Sequence, residues 1–155
     1  MERFVLFSCN KQSFALDISK VEKIIEFTAP NPIPESSDYL QGVIQYNDRI
    51  LPIINLSKRL YNIDSSYDTN SKVIVVIWKD TLVGFVVDEI YGIRGYEDGQ
   101  IEESAMDSNI SKQYVQGFIK TDKEIIIVID TDKIFNPAQE QELLSTTDLQ
   151  TESTI

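Results

Sequence analysis

Residues 39–60, YLQGVIQYNDRILPIINLSKRL, return 75 positions later as residues 114–135, YVQGFIKTDKEIIIVIDTDKIF. At that constant offset Tyr39 meets Tyr114, Gln41 meets Gln116, Gly42 meets Gly117 and Ile44 meets Ile119. Ile50 meets Ile125 and Lys58 meets Lys133, with apolar residues matching between them at Val43/Phe118, Leu51/Ile126 and Ile54/Ile129. One match is chance; this many in register mark two copies of one folding unit.

Both phrases read as β-hairpins. Val43-Ile44 and Ile50–Ile54 flank QYNDR, and Phe118-Ile119 and Ile125–Ile129 flank KTDKE, with Asn47-Asp48 and Asp122-Lys123 as turn centres. Asn and Asp suit these places because they tolerate left-handed backbone and hydrogen-bond to their own chain. Gly42 and Gly117 stand where a bend or a close approach needs a missing Cβ. Pro52, with no N–H to donate, points to an edge or an irregularity.

The echo extends upstream. Phe4–Phe7 and the alternating Phe14, Leu16 and Ile18 form a strand pair around Asn10–Gln12, answered by VIVVIWKD and TLVGFVVDEI at residues 73–90. Phe14 against Val83, Leu16 against Phe85, Val21 against Ile90 and Ile24 against Ile93 give an offset of 69. The first strand, with Phe4–Phe7 set on Ile74–Ile77, asks for 70 and so for hairpins that differ by one residue. KVEKII, residues 20–25, is assigned a helical turn that Pro30 and Pro32 do not let continue. The polar DSSYDTNS, residues 64–71, connects the halves, EDGQ is a turn, and residues 102–113 are a loop with a short helical piece.

Many short strands and little helix predict an all-β fold of two similar barrels or a sandwich. Each unit of roughly 65–75 residues is marginal alone, so the two should pack into one body with a groove at the seam. NPAQEQELLSTT, from Asn136, carries a helix start, with Asn136 as cap, Pro137 at the first position and Gln139 in a capping box. A polar, disordered tail is expected after about Thr146.

A formal charge of -11 and a pI near 4.4 argue against nucleic acid and anionic membrane surfaces as partners. No run reaches the roughly 18 apolar residues of a membrane helix, and no cleavable leader is recognisable at MERFVLFSCNKQ, so the expected address is the cytoplasm. There is no histidine, which removes the commonest general base and metal ligand. Cys9, the one cysteine, has no base to pair with and reads as a structural thiol. No phosphate-binding loop occurs, and Gly92, Gly95 and Gly99 do not form a dinucleotide fingerprint. Asp88 and Glu89 alternate across a strand, and Asp130 and Asp132 have Asn55 and Ser57 as repeat partners, which disfavours a carboxylate pair for catalysis or metal binding. No cofactor, no metal and no enzyme activity are therefore expected. Tyr39, Tyr46 and Tyr91 adjoin turns or breaks and are candidate contact residues.

The ordered set FVLFSCNKQSFALDISKVEKI, YLQGVIQYNDRILPIINLSKRL, VIVVIWKDTLVGFVVDEIYGI and YVQGFIKTDKEIIIVIDTDKIF resembles the CheW-like family of chemotaxis coupling proteins from about Arg3 to Phe135. The resemblance implies two intertwined five-stranded SH3-like β-barrels, with a CheW-like domain over 1–136. The first barrel would lie mainly over about 12–72 and the second over about 73–136 with an N-terminal strand added; a short helix and acidic tail would fill 137–155. It implies a nonenzymatic adaptor that couples the regulatory domain of a CheA-type histidine kinase to the cytoplasmic tip of methyl-accepting chemoreceptors, recruited to arrays at the inner face of the membrane without inserting.

Two places depart from the family pattern. G-V-x-N-L-R-G stands here as Gly42-Val43-Ile44-Gln45-Tyr46-Asn47-Asp48, so Asn47 takes the arginine position and Asp48 the second glycine position. V-x-E-I stands as Val21-Glu22-Lys23-Ile24, with lysine in place of glutamate. By the resemblance, the partner-binding candidates are Val21, Lys23, Ile24, Tyr46, Asn47, Asp48 and Arg49. The changed charges leave a specialised paralogue with a different signalling partner as the alternative, and a β-rich hydrolase as a remote one.

Overall fold

The computed structural model describes residues 1–68, 70–103 and 113–147. Eleven strands are present in them: β1 Glu2–Cys9, β2 Gln12–Asp17, β3 Val21–Glu26, β4 Leu40–Tyr46, β5 Arg49–Asn55, β6 Lys72–Trp78, β7 Thr81–Val87, β8 Glu89–Tyr96, β9 Ile101–Glu103, β10 Val115–Lys120 and β11 Ile125–Ile129. Two α-helices, α1 Leu56–Tyr61 and α2 Pro137–Thr147, accompany them. The helical piece expected within 104–112 and the tail beyond 147 lie outside the described residues.

The strands form two mixed sheets, one ordered β8-β1-β2-β11-β10-β9 and the other β3-β6-β7-β5-β4. The repeat is visible in their register. Ile53 lies beside Gly84 in the parallel pair β5–β7, as its equivalent Val128 lies beside Ala15, the equivalent of Gly84, in β11–β2. The hairpins are exchanged: β1–β2 joins the sheet of β8–β11, while β6–β7 joins the sheet of β3–β5.

The expectation of two closed barrels is overturned. Edge strands β8 and β9 do not pair with each other, nor do β3 and β4, so both sheets stay open. Each sheet nevertheless bends over an apolar cluster of its own, with Phe4, Leu6, Tyr96, Ile119 and Val128 in one and Leu51, Ile53, Val73, Val75 and Val86 in the other. Between the sheets lies a shared third cluster that includes Phe7, Phe14, Trp78, Phe85 and Phe135. The central hairpins are thus buried on both faces over most of their length, which is why VIVVIW, with only Ile77 exposed, reads as an unbroken apolar run.

Other expectations change for local reasons. Both N-proximal hairpins have two-residue turns with positive φ, Asn10-Lys11 and Lys79-Asp80, and pair Cys9 with Gln12 and Trp78 with Thr81. The offset is therefore 69 throughout, and no difference in hairpin length exists. KVEKII is not a helical turn beyond its first residue: a single 3₁₀ turn at Ile18–Lys20 ends there, and Val21–Glu26 pairs with β6 as a strand, the state its β-branched residues favour. Pro52 sits on β5, which is interior, but just ahead of the first residue paired to β7, so its missing N–H costs no ladder bond. Glu102 and Glu103 belong to strand β9, not to a loop.

Helix α1 is capped by the Asn55 side chain, which accepts from Lys58 N at 3.1 Å, and ends on left-handed Asn62. At the equivalent place Asp130 caps only a 3₁₀ turn, Thr131–Lys133. The capping box of α2 is present, with Asn136 and Gln139 exchanging side chain-to-backbone bonds of 2.8 Å. This helix is anchored by fully buried Leu143.

Candidate partner-binding surface

The candidate residues lie on the two open edges of the five-stranded sheet. On β3 a bulge between Val21 and Lys23 shifts the register, leaving Lys23 opposite Val75 and Ile24 opposite Ile74. Directly paired residues share a face, so Ile24 lies on the side of the central cluster and Lys23 on the other. Val21 is half-buried against the central cluster, Ile24 is 39% exposed, and Lys23 is exposed without an ion pair among the described residues.

The second edge supplies the β4–β5 turn. Asn47 and Asp48 have φ of 47° and 63°, the left-handed pair of a type I′ hairpin. Both are exposed, and exposed Arg49 lies across from Tyr46 at the hairpin base. The Tyr46 ring rests half-buried on the sheet's own cluster. Its hydroxyl donates to Glu22 Oε2 at 2.9 Å, and burial together with this carboxylate raises the Tyr46 pKa.

That bond stitches β3 to the β4–β5 turn where no backbone ladder does. It brings Tyr46, at the base of that turn, beside Glu22 of β3, while Val21 and Ile24 pair with Val76 and Ile74 of the central cluster. Glu22 was not among the candidates; its place two residues before Ile24 carries no signal until the sheet bends. Of the other tyrosines, Tyr39 is only 6% exposed and packs on Phe135 at 5.8 Å, contrary to its expected role at a surface, whereas Tyr91 is 54% exposed.

Four of the strand-flanking carboxylates, Asp17, Asp88, Asp130 and Asp132, are engaged in structure. Asp17 and Asp130 cap 3₁₀ turns, Asp132 pairs with Lys20 at 3.6 Å, and Asp88 accepts from Asn10 N at 2.9 Å and the Tyr67 hydroxyl at 3.3 Å. No group of three Cys, Asp or Glu side chains is placed to hold a metal among the described residues. No described helix is long and apolar enough to cross a membrane.

Cys9 is fully buried, and desolvation pushes its thiol from the ordinary 9.0 up to about 12. A thiol reagent at pH 8 should therefore leave the native protein unlabelled and modify it at the rate of unfolding. Between pH 9.0 and about 12 the native state holds a proton that the unfolded state releases, so Cys9 favours folding below pH 9.0 and stability should fall as pH rises through this window. Denaturant midpoints at pH 8 and pH 10.5 measure it; a smaller fall in Cys9→Ala assigns the effect, and an unchanged fall refutes the assignment.

A family model described as the CheW-like domain matches residues 3–139. Chemotaxis protein CheW of Thermotoga maritima is 34% identical over 128 residues, covering 83% of each chain, and that of Bacillus subtilis is 23% identical over 90% of each. The crystal structure of scaffolding protein TtCheW from Thermoanaerobacter tengcongensis is similar at TM-score 0.80 and 26% identity, covering 89% of this chain and 94% of the other. With both sheets inside the matched span, the chain belongs to the CheW-like family.

Proposed function

We propose that this chain docks the regulatory domain of a CheA-type histidine kinase and the cytoplasmic tip of methyl-accepting chemoreceptors, holding them together in the cytoplasm at receptor arrays. Its role is that of a nonenzymatic chemotaxis coupling adaptor, as in its family, and the mechanism is assembly: two partners on one rigid body act at raised effective concentration. The observation that carries the reading is the family match across both sheets. The Tyr46–Glu22 stitch supports placing one contact at Lys23, Tyr46, Asn47, Asp48 and Arg49. Val21 and Ile24, on the other face of β3, belong to the inter-sheet groove as the receptor-facing side.

Exposed Asn47-Asp48, in place of the family's Arg-Gly, favours a second reading in which the same surface serves a different signalling partner. Titration calorimetry with a kinase regulatory domain and with a receptor-tip fragment from the same cell separates the two. Binding of both supports the coupling role; binding of neither leaves the second reading.

Lys23→Glu should weaken the complex by about 1 kcal/mol, roughly fivefold, because an exposed contact lies in high dielectric. The midpoint of thermal unfolding should stay within a few degrees, since Lys23 makes no ion pair among the described residues. Equal affinity would remove Lys23 from the contact surface.

A further inference from the structure

Half-buried Arg59, on α1, carries an unused donor. Its guanidinium lies over the rings of Tyr114 at 5.7 Å and Phe135 at 5.9 Å, contacts that fix the plane of the fork. It makes no ion pair among the described residues, and its Nε is buried without a hydrogen-bond partner. The neighbouring Lys58 is occupied, held by Asp64 at 2.9 Å. Buried donors are nearly always paired, so an unused one marks a place for an acceptor.

Two further buried polar atoms beside it are unpaired: the Tyr39 hydroxyl and Oε1 of Glu142, on α2. Burial pushes the Tyr39 phenol up to about 12, and it senses the charges of both Glu142 and Arg59, so the three groups lie together. The other oxygen of Glu142 accepts from Ser37 N at 2.8 Å, which keeps this carboxylate from swinging to Arg59. A cleft of about 310 Å³ opens between α1, α2 and the chain ahead of β4, lined by Asp38, Tyr39, Lys58, Arg59, Asn62 and Gln139. Its size is at the low end for small-molecule sites, too small for a peptide segment. It draws on neither β3 nor the β4–β5 turn.

The unpaired atoms specify the ligand. Nε and a terminal nitrogen of one guanidinium grip a carboxylate side-on through two parallel bonds, and the Tyr39 hydroxyl supplies a third donor. Glu142 Oε1 asks for a donor on the same molecule. The chain's charge of -11 and Asp38 in the lining weigh against a dianion. We propose that this cleft binds a small monocarboxylate with a hydrogen-bond donor on the adjacent carbon, as in an α-hydroxy or α-amino acid. Its carboxylate sits on Arg59 and Tyr39 and its donor on Glu142.

The test is a titration of the full chain at constant ionic strength, followed by amide NMR shifts, with glycolate and separately with glycine. A Kd of about 5 mM is expected for the tighter of the two, as ligands of so few atoms allow, with shifts confined to residues 37–39, 58–62 and 139–143. Which one is tighter tells a hydroxyl from an ammonium donor. Acetate, which lacks the donor, should bind at least about fivefold more weakly, the scale of one lost contact. Arg59→Gln should abolish the shifts. Because Arg59 also packs on two rings, Tyr39→Phe provides the second variant: it removes only an unpaired hydroxyl, so it should weaken binding about fivefold without lowering the thermal midpoint. No saturation by either acid, equal binding of acetate and inorganic phosphate as for an adventitious ion only, or unchanged affinity in Tyr39→Phe would overturn the proposal.

Discussion

Phe135→Ala is expected to remove about 3–5 kcal/mol of stability, the range for truncating a buried aromatic. For a chain of this size that lowers the thermal midpoint by roughly 6–20 °C. Phe135 is 4% exposed and follows β11 and its 3₁₀ turn, so it hangs from the six-stranded sheet. Its ring lies 5.6 Å from Trp78 and 6.5 Å from Phe85, both on the exchanged β6–β7 hairpin of the other sheet, and 5.8 Å from Tyr39 ahead of β4. The Arg59 guanidinium covers it at 5.9 Å. Truncation leaves a void against three aromatic rings, two of them fixed on the β6–β7 hairpin, and close-packed interiors do not collapse into such voids freely. Ile125→Ala, at a residue 52% exposed, is the control and should cost under about 1 kcal/mol. Calorimetry of the two variants decides it: similar midpoints would mean that Phe135 does not join the sheets.

A residue with this burden was legible only in part. The repeat at Tyr39/Tyr114 and Gly42/Gly117 showed two units, because equivalent strands meet equivalent neighbours and keep equivalent side chains. It could not show that the hairpins are exchanged, since Phe4–Phe7 and Val73–Val76 fit either sheet by hydrophobicity alone. The 70-residue offset was an error of the same origin: in a run apolar on both faces, a one-residue slip leaves the pattern nearly unchanged. Closed barrels failed because closure depends on whether edge strands come close enough to pair, a property of the bend and not of any residue pattern. Helix α1 was not read from the sequence although Asn55 and Asn62 bracket it, because six residues are too few to show a helical apolar period.

The candidate surface was legible in the same partial way. Tyr46, Asn47, Asp48 and Arg49 follow from one hairpin signature, and their exposure from the turn type. That β3 would lie beside them required the sheet to bend until its edges nearly met, with Glu22 and Tyr46 spanning the remainder. Tyr39 misled because a tyrosine beside a break looks exposed, whereas its ring fills the space above Phe135.

Gly42→Ala is the second change with a large expected effect, and its comparison with Gly117→Ala tests the repeat itself. A Cβ at Gly42 would stand 2.2 Å from the carbonyl oxygen of Asn31, and one at Gly117 would stand 2.4 Å from that of Glu102. In both places the obstacle is backbone: the Asn31–Val43 bridge crosses one hairpin and strand β9 crosses the other. Each glycine also follows a register shift in its strand, between Leu40 and Gly42 or between Val115 and Gly117. Relief therefore requires the crossing chain to move, and the bonds between Asn31 and Val43, 2.9 and 3.0 Å long, to break. Gly42 has the further burden of φ 142°, which an L side chain rarely adopts. Steric displacement with backbone strain should cost Gly42→Ala about 3–4 kcal/mol, and Gly117→Ala, without that φ, about 1–2 kcal/mol less. Chemical denaturation of both variants gives the comparison. Two near-neutral results would mean that neither crossing chain is held where its hydrogen bonds place it, whereas a larger loss at Gly117 would show that β9 is the more rigid of the two and that clash outweighs backbone strain.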